Sequence, residues 1–161
     1  MNEGLRKVAL WLRDLLEYDE GLILIGRRNF EREDFETDYI TVDTLGQGVL
    51  KGSGTRYDSE AEAETLTLLY SFPVTLNFYG SDAHSRAMRL VALRRSQESH
   101  ELQRDYGVVV HSPESITDAK ALTGQQYGER IEVVLNAEYE HAETLDRKRI
   151  DNAQTEILPE S

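Results

Sequence analysis

Two stretches of the chain alternate apolar and polar residues with a period of two, which predicts two long β-strands. In the first, Glu64 to Gly80, the even positions are apolar: Leu66, Leu68, Tyr70, Phe72, Val74, Leu76 and Phe78. In the second, Tyr127 to His141, alternate positions should face inward: Ile131, Val133, Leu135, Ala137 and Tyr139. Both stretches far exceed the usual ~5–6 residues of a strand. Their ends should therefore project beyond their own core and need a neighbour to cover them.

Helical spacing of apolar residues predicts three helices. The first, Glu3 to Glu17, carries one apolar side made of Leu5, Val8, Ala9, Trp11, Leu12, Leu15 and Leu16, although Gly4 weakens its start. The second follows Gly80, with Ser81 as its N-cap. The third, Gln97 to Tyr106, should end at Gly107 in a left-handed cap.

The remaining segments predict short strands and turns. Short strands are predicted at Leu22–Ile25, Tyr39–Leu45 and Val108–Val110. Glycine-rich Gly46–Ser59 indicates a hairpin with a mobile tip, and acidic residues up to Glu64 extend the first long strand as a solvated ribbon. Ser115–Gly124 is expected to be a loop with one helical turn at 118–122. Pro73 predicts an edge or a bulge, because it has no N–H for a ladder.

These elements predict an α/β (α+β) fold with a mixed, mostly antiparallel sheet and long hairpin strands. An N-terminal helix and one or two further helices should flank the sheet. The length of 161 residues fits one domain. Within it we expect an α/β core over residues 1–142 and a polar C-terminal arm over 143–161, anchored by Ile150, Ile157 and Leu158.

Composition narrows the function classes. The net charge of −12 argues against nonspecific binding to nucleic acid and to anionic membranes, because both need exposed cations. The chain has no cysteine, which excludes disulfides and thiolate metal sites. Its apolar runs are too short for a transmembrane span, and we expect neither a signal peptide nor a membrane partner.

Catalytic patterns are weak in this sequence. The four histidines form no metal-binding pair, and Gly46 and Gly48 lack the third glycine of a dinucleotide loop, where Lys51 stands instead. These patterns therefore predict no cofactor, metal or catalytic site. One enzyme hypothesis stays open, a small acidic enzyme built on Glu132, Glu138 and His84.

One segment resembles a known family. VTLNFYGSDAHSRAMRL (74–90) resembles the strand–helix core of phage neck and tail terminator proteins. YGVVVHSPESITDAKALTGQQYGERIEVVLNAEYEH (106–141) is similar to the second half of those proteins, and IDNAQTEI (150–157) to their closing segment. DYITVDTLGQG (38–48) also fits. The resemblance covers about residues 22–157.

The resemblance implies a structural protein of the virion neck, made in the host cytoplasm, with no enzymatic activity. It implies a ring, usually hexameric in such proteins, that terminates the tail tube or joins it to the connector. Expected partners are further copies of the chain, an adjacent neck or connector protein and a tail-tube or sheath protein. DNA should pass through without specific binding. A tail-completion or tail-tube-like ring protein is the alternative.

Two sets of residues are candidates for roles in such a ring. Candidate contacts between subunits are the basic helix residues, the outward acids of the second long strand and one arm residue: Arg86, Arg89, Glu132, Glu138, Glu140 and Ile157. Candidate channel-lining residues are acids without a helical or core pattern: Glu31, Glu33, Asp34, Glu60 and Glu62. A lumen of carboxylates offers DNA phosphates no cation to bind.

Overall fold

The computed structural model describes residues 3–26, 38–44, 46–119, 121–123 and 126–148. Within them are three α-helices and nine strands. The helices are α1 (Glu3–Leu16), α2 (Ala83–Leu93) and α3 (Gln97–Tyr106), and a 3-10 turn spans Glu20–Leu22. The strands are β1 (Ile23–Ile25), β2 (Tyr39–Asp43), β3 (Val49–Asp58), β4 (Ala63–Tyr79), β5 (Val108–Val110), β6 (Ser115–Asp118), β7 (Ala121–Thr123), β8 (Gln126–Gly128) and β9 (Arg130–Asp146).

The sheet is built on β4 and β9, which pair antiparallel over all 17 residues of each strand. On the other side of β4, strand β2 pairs with one half and β3 with the other. On the other side of β9, strand β6 pairs with residues 131–134 and strand β5 with residues 137–139. Strand β1 lies parallel beside β2, and β7 pairs with β8 separately. The predicted mixed, mostly antiparallel sheet with long hairpin strands and flanking helices is therefore confirmed.

The hydrophobic core lies between one face of this sheet and the helices. Every residue of the predicted apolar side of α1 is buried, including Trp11 at 0% exposure. The sheet contributes the even positions of β4 from Phe72 to Phe78 and the odd positions of β9 from Ile131 to Ala137. Ala83, Ala87 and Leu90 of α2 complete the core. The alternation in the sequence thus assigned the buried face correctly.

Two glycines are needed where they stand. Gly107 ends α3 with φ 66° and ψ 44°, a left-handed conformation that favours glycine, as predicted. Gly4 lies inside α1, where a Cβ would come within 2.5 Å of the Phe72 ring and 2.9 Å of the Tyr139 ring. The residue that weakens the start of the helix therefore lets α1 approach the sheet closely.

Three local predictions were wrong. The segment from Ser115 to Asp118 is a strand, with Ile116 opposite Val133, because the backbone groups along β9 need partners. The helix expected at 118–122 is likewise replaced by β6 and β7. The N-cap of α2 is Asp82 instead of Ser81, and its side chain makes no capping hydrogen bond.

Pro73 and the glycine-rich stretch also differ from their predictions. Pro73 lies in the interior strand β4, in the gap between the last pair with β2 and the first pair with β3. The missing N–H falls in that gap, and the Pro73 carbonyl accepts a hydrogen bond from Thr44 Oγ1 at 2.7 Å. The glycine-rich stretch forms strand β3 itself, and the hairpin turns at residues 59–62.

Candidate functional site

The feature that best fits a function is a three-stranded ribbon that extends from the core. It consists of Val49–Asp58 of β3, Ala63–Tyr70 of β4 and Tyr139–Asp146 of β9, and is called the ribbon below. The seven steps from Tyr70 to Ala63 correspond to about 24 Å at ~3.4 Å per residue. Helix α1 covers its base, where Lys7 Nζ lies 5.6 Å from the centroid of the Tyr139 ring. Further out, Glu3 Oε2 is 3.8 Å from His141 Nδ1.

One face of the ribbon is apolar and exposed. The strand register places five large side chains on the same side as the core: Leu50, Tyr57, Leu66, Leu68 and Leu145. These residues define the apolar ribbon face, and their exposed fractions lie between 38% for Leu66 and 58% for Leu50. The face continues the core outward, through the packed rings of Phe72, Tyr70 and Tyr139. His141 and Glu143 lie on the same face, opposite Leu68 and Leu66. Exposed apolar side chains grouped on one face mark interaction sites.

The opposite face of the ribbon is more polar. Thr65, Thr67, Gly54 and Glu140 lie on it, and the hydroxyls of Thr65 and Thr144 are 3.4 Å apart. Leu69 and Val49 are the large apolar exceptions, at 37% and 55% exposure. The solvated ribbon predicted up to Glu64 corresponds to the exposed turn at 59–62 and the first residues of β4.

The far end of the ribbon is held by hydrogen bonds. Arg147 Nε donates to Glu64 Oε2 at 3.0 Å, and the Arg147 backbone N–H donates to the Glu62 carbonyl at 2.7 Å. Tyr57 Oη donates to the Arg147 carbonyl at 3.3 Å. In the turn, Asp58 Oδ1 accepts from the Glu60 and Ala61 backbone N–H groups at 2.9 and 3.2 Å. These bonds join the turn to both outer strands.

Arg86, a predicted contact residue, has partners within its own chain. Its NH2 group donates to the Tyr79 carbonyl at 2.7 Å and lies 3.2 Å from Asp38 Oδ1, and its side chain is 14% exposed. It also contacts the Tyr18 hydroxyl. Arg89 also lies on α2 and is exposed. The contact of Arg86 and Arg89 with a neighbouring subunit stays a prediction.

The acids of β9 lie on the side of the sheet away from the helices, as expected from their odd or even positions. Glu132 Oε2 lies 3.4 Å from Arg130 NH2. Glu138 Oε1 lies 3.3 Å from His111 Nε2. Glu140 is exposed at the base of the ribbon. Their role between subunits stays a prediction.

Only some of the candidate channel residues lie within the described part of the chain. Glu60 and Glu62 are exposed in the turn at the far end of the ribbon. Glu31, Glu33 and Asp34 lie outside the described residues, as does Ile157 of the candidate contact set. The structure therefore locates two of the five predicted lining acids.

The three residues of the enzyme hypothesis are not brought together. Glu132 and Glu138 are six residues apart on β9, about 20 Å along a strand. His84 is exposed on α2, on the other side of the sheet. A cleft of about 370 Å³ includes Glu138 and His111, but neither Glu132 nor His84 lines it. Among the described side chains, no group of three or more His, Asp or Glu is placed to hold a metal.

Helices α1 and α3 are joined by polar contacts that the sequence did not indicate. Trp11 Nε1 donates to the buried Ser99 Oγ at 3.1 Å, and Gln103 Nε2 donates to the same oxygen at 3.1 Å. Nearby, the Arg13 guanidinium donates to Asp14 and holds the pKa of that carboxyl below its usual range. The Tyr106 hydroxyl also donates to Asp14, which raises the pKa of that phenol.

The sequence pattern did not reveal three members of the apolar ribbon face: Leu50, Tyr57 and Leu145. Leu50 and Tyr57 lie in β3, where a register shift between Leu50 and Gly52 interrupts the alternation that would have revealed them. Leu145 lies beyond the predicted end of the second long strand, which continues to Asp146 and so enters the segment expected to be the arm. The length of its partner β4 was the signal for that extension.

Comparison with known proteins points to the same class as the resemblance. A family model described as phage neck terminator protein matches residues 6–161. The match includes α2, α3, all but the first three residues of α1, and the whole ribbon. A search of curated proteins found no match. None of the described helices is both long and apolar enough to cross a bilayer.

Proposed function

The chain belongs to the phage neck terminator protein family, and on that basis we propose that it forms a ring at the head–tail junction of a tailed phage. The family indicates a structural protein of the virion neck. In the proposed ring, six copies terminate the tail tube or join it to the connector, and DNA passes through the centre. The partners are an adjacent neck or connector protein on one side and a tail-tube or sheath protein on the other.

The apolar ribbon face is the observation that supports self-assembly. A single subunit leaves Leu66 and Leu68 about two-fifths exposed, at 38% and 41%, on a ribbon that its own helices cover only at the base. Burial of such surface against a second copy is favourable by ~25 cal/mol per Å². A ring supplies that cover to every subunit at once, because each copy presents the same ribbon to its neighbour.

Charge supports the passage of DNA. Each subunit carries a net charge of −12, so several subunits in one ring bring together a large excess of carboxylates. Glu60 and Glu62 are exposed at the turn of the ribbon, and we propose that they line the channel together with Glu31, Glu33 and Asp34. A surface of this sign gives phosphates no cations to bind, so DNA slides without being held.

Loss of the protein from an infection tests this proposal. A phage whose gene for this chain is disrupted should make filled heads and tails that remain unjoined, and added purified protein should restore joining. Electron microscopy of the purified protein should show rings with a central channel. Joined, infectious particles in the absence of the protein would contradict the proposal. Completed tails that lack only their upper end would separate a terminator from a tail-tube-like ring.

A further inference from the structure

A second apolar site, partly open to solvent, lies at the other end of the sheet from the ribbon. Ala9 and Leu10 of α1 and Ile23 and Ile25 of β1 line a groove of about 220 Å³. Arg6, Arg13 and Glu20 form its rim. Among the described strands, β1 pairs with β2 alone, so the groove lies along the open edge of the sheet. This site is called the edge groove below.

We propose that the edge groove of one copy receives the apolar ribbon face of the next copy. The inference rests on the proposed function, because it names the two surfaces that meet in the ring. The groove has room for bulky aliphatic side chains, since a cavity of ~150 Å³ already holds a benzene-sized guest. Leu66 and Leu68 project from the ribbon with two-fifths of their surface exposed and fit that description.

The ribbon cannot occupy the groove of its own chain. Ile25 lies opposite Val42, which lies opposite Leu76 of β4. Leu68 is eight residues from Leu76, about 27 Å along a strand at ~3.4 Å per residue. The hydrogen bonds of the strands hold both sites at that separation. A ribbon in the groove must therefore come from a second copy.

Charge favours the pairing. Glu143, whose side chain is 68% exposed beside His141, stands directly opposite Leu66 on the apolar ribbon face, whereas Glu64 on the same face is paired with Arg147. At the groove, Arg13 is paired with Asp14 and Glu20 of its own chain, and Arg6 is exposed. Arg6 is therefore the positive charge that the groove offers to Glu143 in the proposed contact. Opposite charges that flank an apolar contact set its register and orientation.

The two surfaces also have the geometry that a ring requires. They are different from each other and lie far apart on the same subunit, so the contact between copies is heterologous. A heterologous contact repeats head to tail and closes into a ring when the rotation allows it. A pair of copies joined by two identical surfaces would instead stop at a dimer.

Cysteine cross-linking tests the assignment, because the natural chain contains no cysteine. We would mix a Leu68→Cys variant with a Leu10→Cys variant, each with a different tag, and oxidise the mixture. The control replaces Leu68→Cys by Leu69→Cys, the adjacent leucine, which has similar exposure at 37% but lies on the opposite face. Light scattering of the unmodified protein establishes assembly independently.

The expected result is a cross-linked pair of Leu68→Cys with Leu10→Cys at ~10-fold or greater yield over the Leu69→Cys control, since disulfides need Cα atoms within ~4.4–6.8 Å. Equal yields would overturn the proposal. So would a cross-link of Leu68→Cys mainly with itself, or a higher yield between Leu10→Cys and an Ile157→Cys variant, which would assign the groove to the C-terminal segment. Assembly without the expected cross-link refutes the groove assignment alone. A chain that stays monomeric in light scattering, while phage joining does not depend on it, refutes the proposed function.

Discussion

Replacement of Leu66 and Leu68 by threonine should weaken assembly without unfolding the subunit. Threonine is β-branched and suits a strand, but it removes most of the apolar surface that a neighbour would cover. Full burial of a leucine side chain contributes ~1.5–3 kcal/mol. The isolated subunit leaves 38% of Leu66 and 41% of Leu68 exposed, so each has about 0.6–1.2 kcal/mol still to gain in an assembly.

The two changes together should therefore reduce the free energy of each contact between copies by about 1.2–2.4 kcal/mol. That loss corresponds to about 7- to 50-fold weaker association, since every 1.4 kcal/mol is a factor of ten. Sedimentation velocity over a range of protein concentrations measures the shift of the assembly midpoint. The midpoint of urea denaturation of the dilute subunit shows whether the core is intact.

Leu69→Thr is the matched control. Leu69 is adjacent in sequence and equally exposed at 37%, but its side chain lies on the opposite face of the ribbon. We expect its assembly midpoint to stay within ~2-fold of the unmodified protein. The reasoning would be refuted if Leu69→Thr weakened assembly as much as the double variant, or if the double variant assembled normally.

Three further predictions concern the subunit itself. Gly4→Ala should lower the free energy of unfolding, measured by urea titration, by about 1 kcal/mol. The new methyl group overpacks against the Phe72 ring, which costs ~1–3 kcal/mol and exceeds the higher helix propensity of alanine. A more stable variant would contradict this. The lowered pKa of Asp14 stabilises the folded state at pH values above the unfolded pKa near 3.8, and this stability is lost as the pH falls through the lower folded pKa. Asp14→Asn should therefore flatten the acid limb of a plot of unfolding free energy against pH. An unchanged acid limb would count against the ion pair with Arg13. Arg86→Gln should cost about 1.5–3 kcal/mol in thermal or urea unfolding because its charged hydrogen bonds are largely buried, whereas exposed Arg89→Gln should leave the subunit stable.

Local signals predicted most of the elements. The bounds of α3 and β5 agree with the sequence, because Ser96 and Gly107 provide caps that act over a few residues. The buried faces of α1, β4 and β9 agree as well, because periodicity of 3.6 or 2 reports which side of an element is apolar. For the ribbon, the sequence indicated only that two strands are too long to be covered by the core of their own subunit.

Non-local pairing determined the rest. Ser115 to Asp118 has no strong strand pattern and becomes a strand because β9 offers it an unpaired edge. Arg86 has a basic helix position that suggests a surface role, yet the fold brings Asp38 and the Tyr79 carbonyl to it. The same holds for Pro73, whose missing N–H is harmless only because two strands divide the side of β4 on which it lies.

Local spacing and composition are sufficient to predict two long amphipathic strands, three helices and an acidic surface without cysteine. Three features became evident only in the folded chain: β3 joins β4 and β9 in one ribbon, Leu50, Leu66, Leu68 and Leu145 share a face with the core, and an apolar groove lies at the other end of the sheet. Strand order and register depend on contacts between residues far apart in the chain, and periodicity along a single strand carries no information about them.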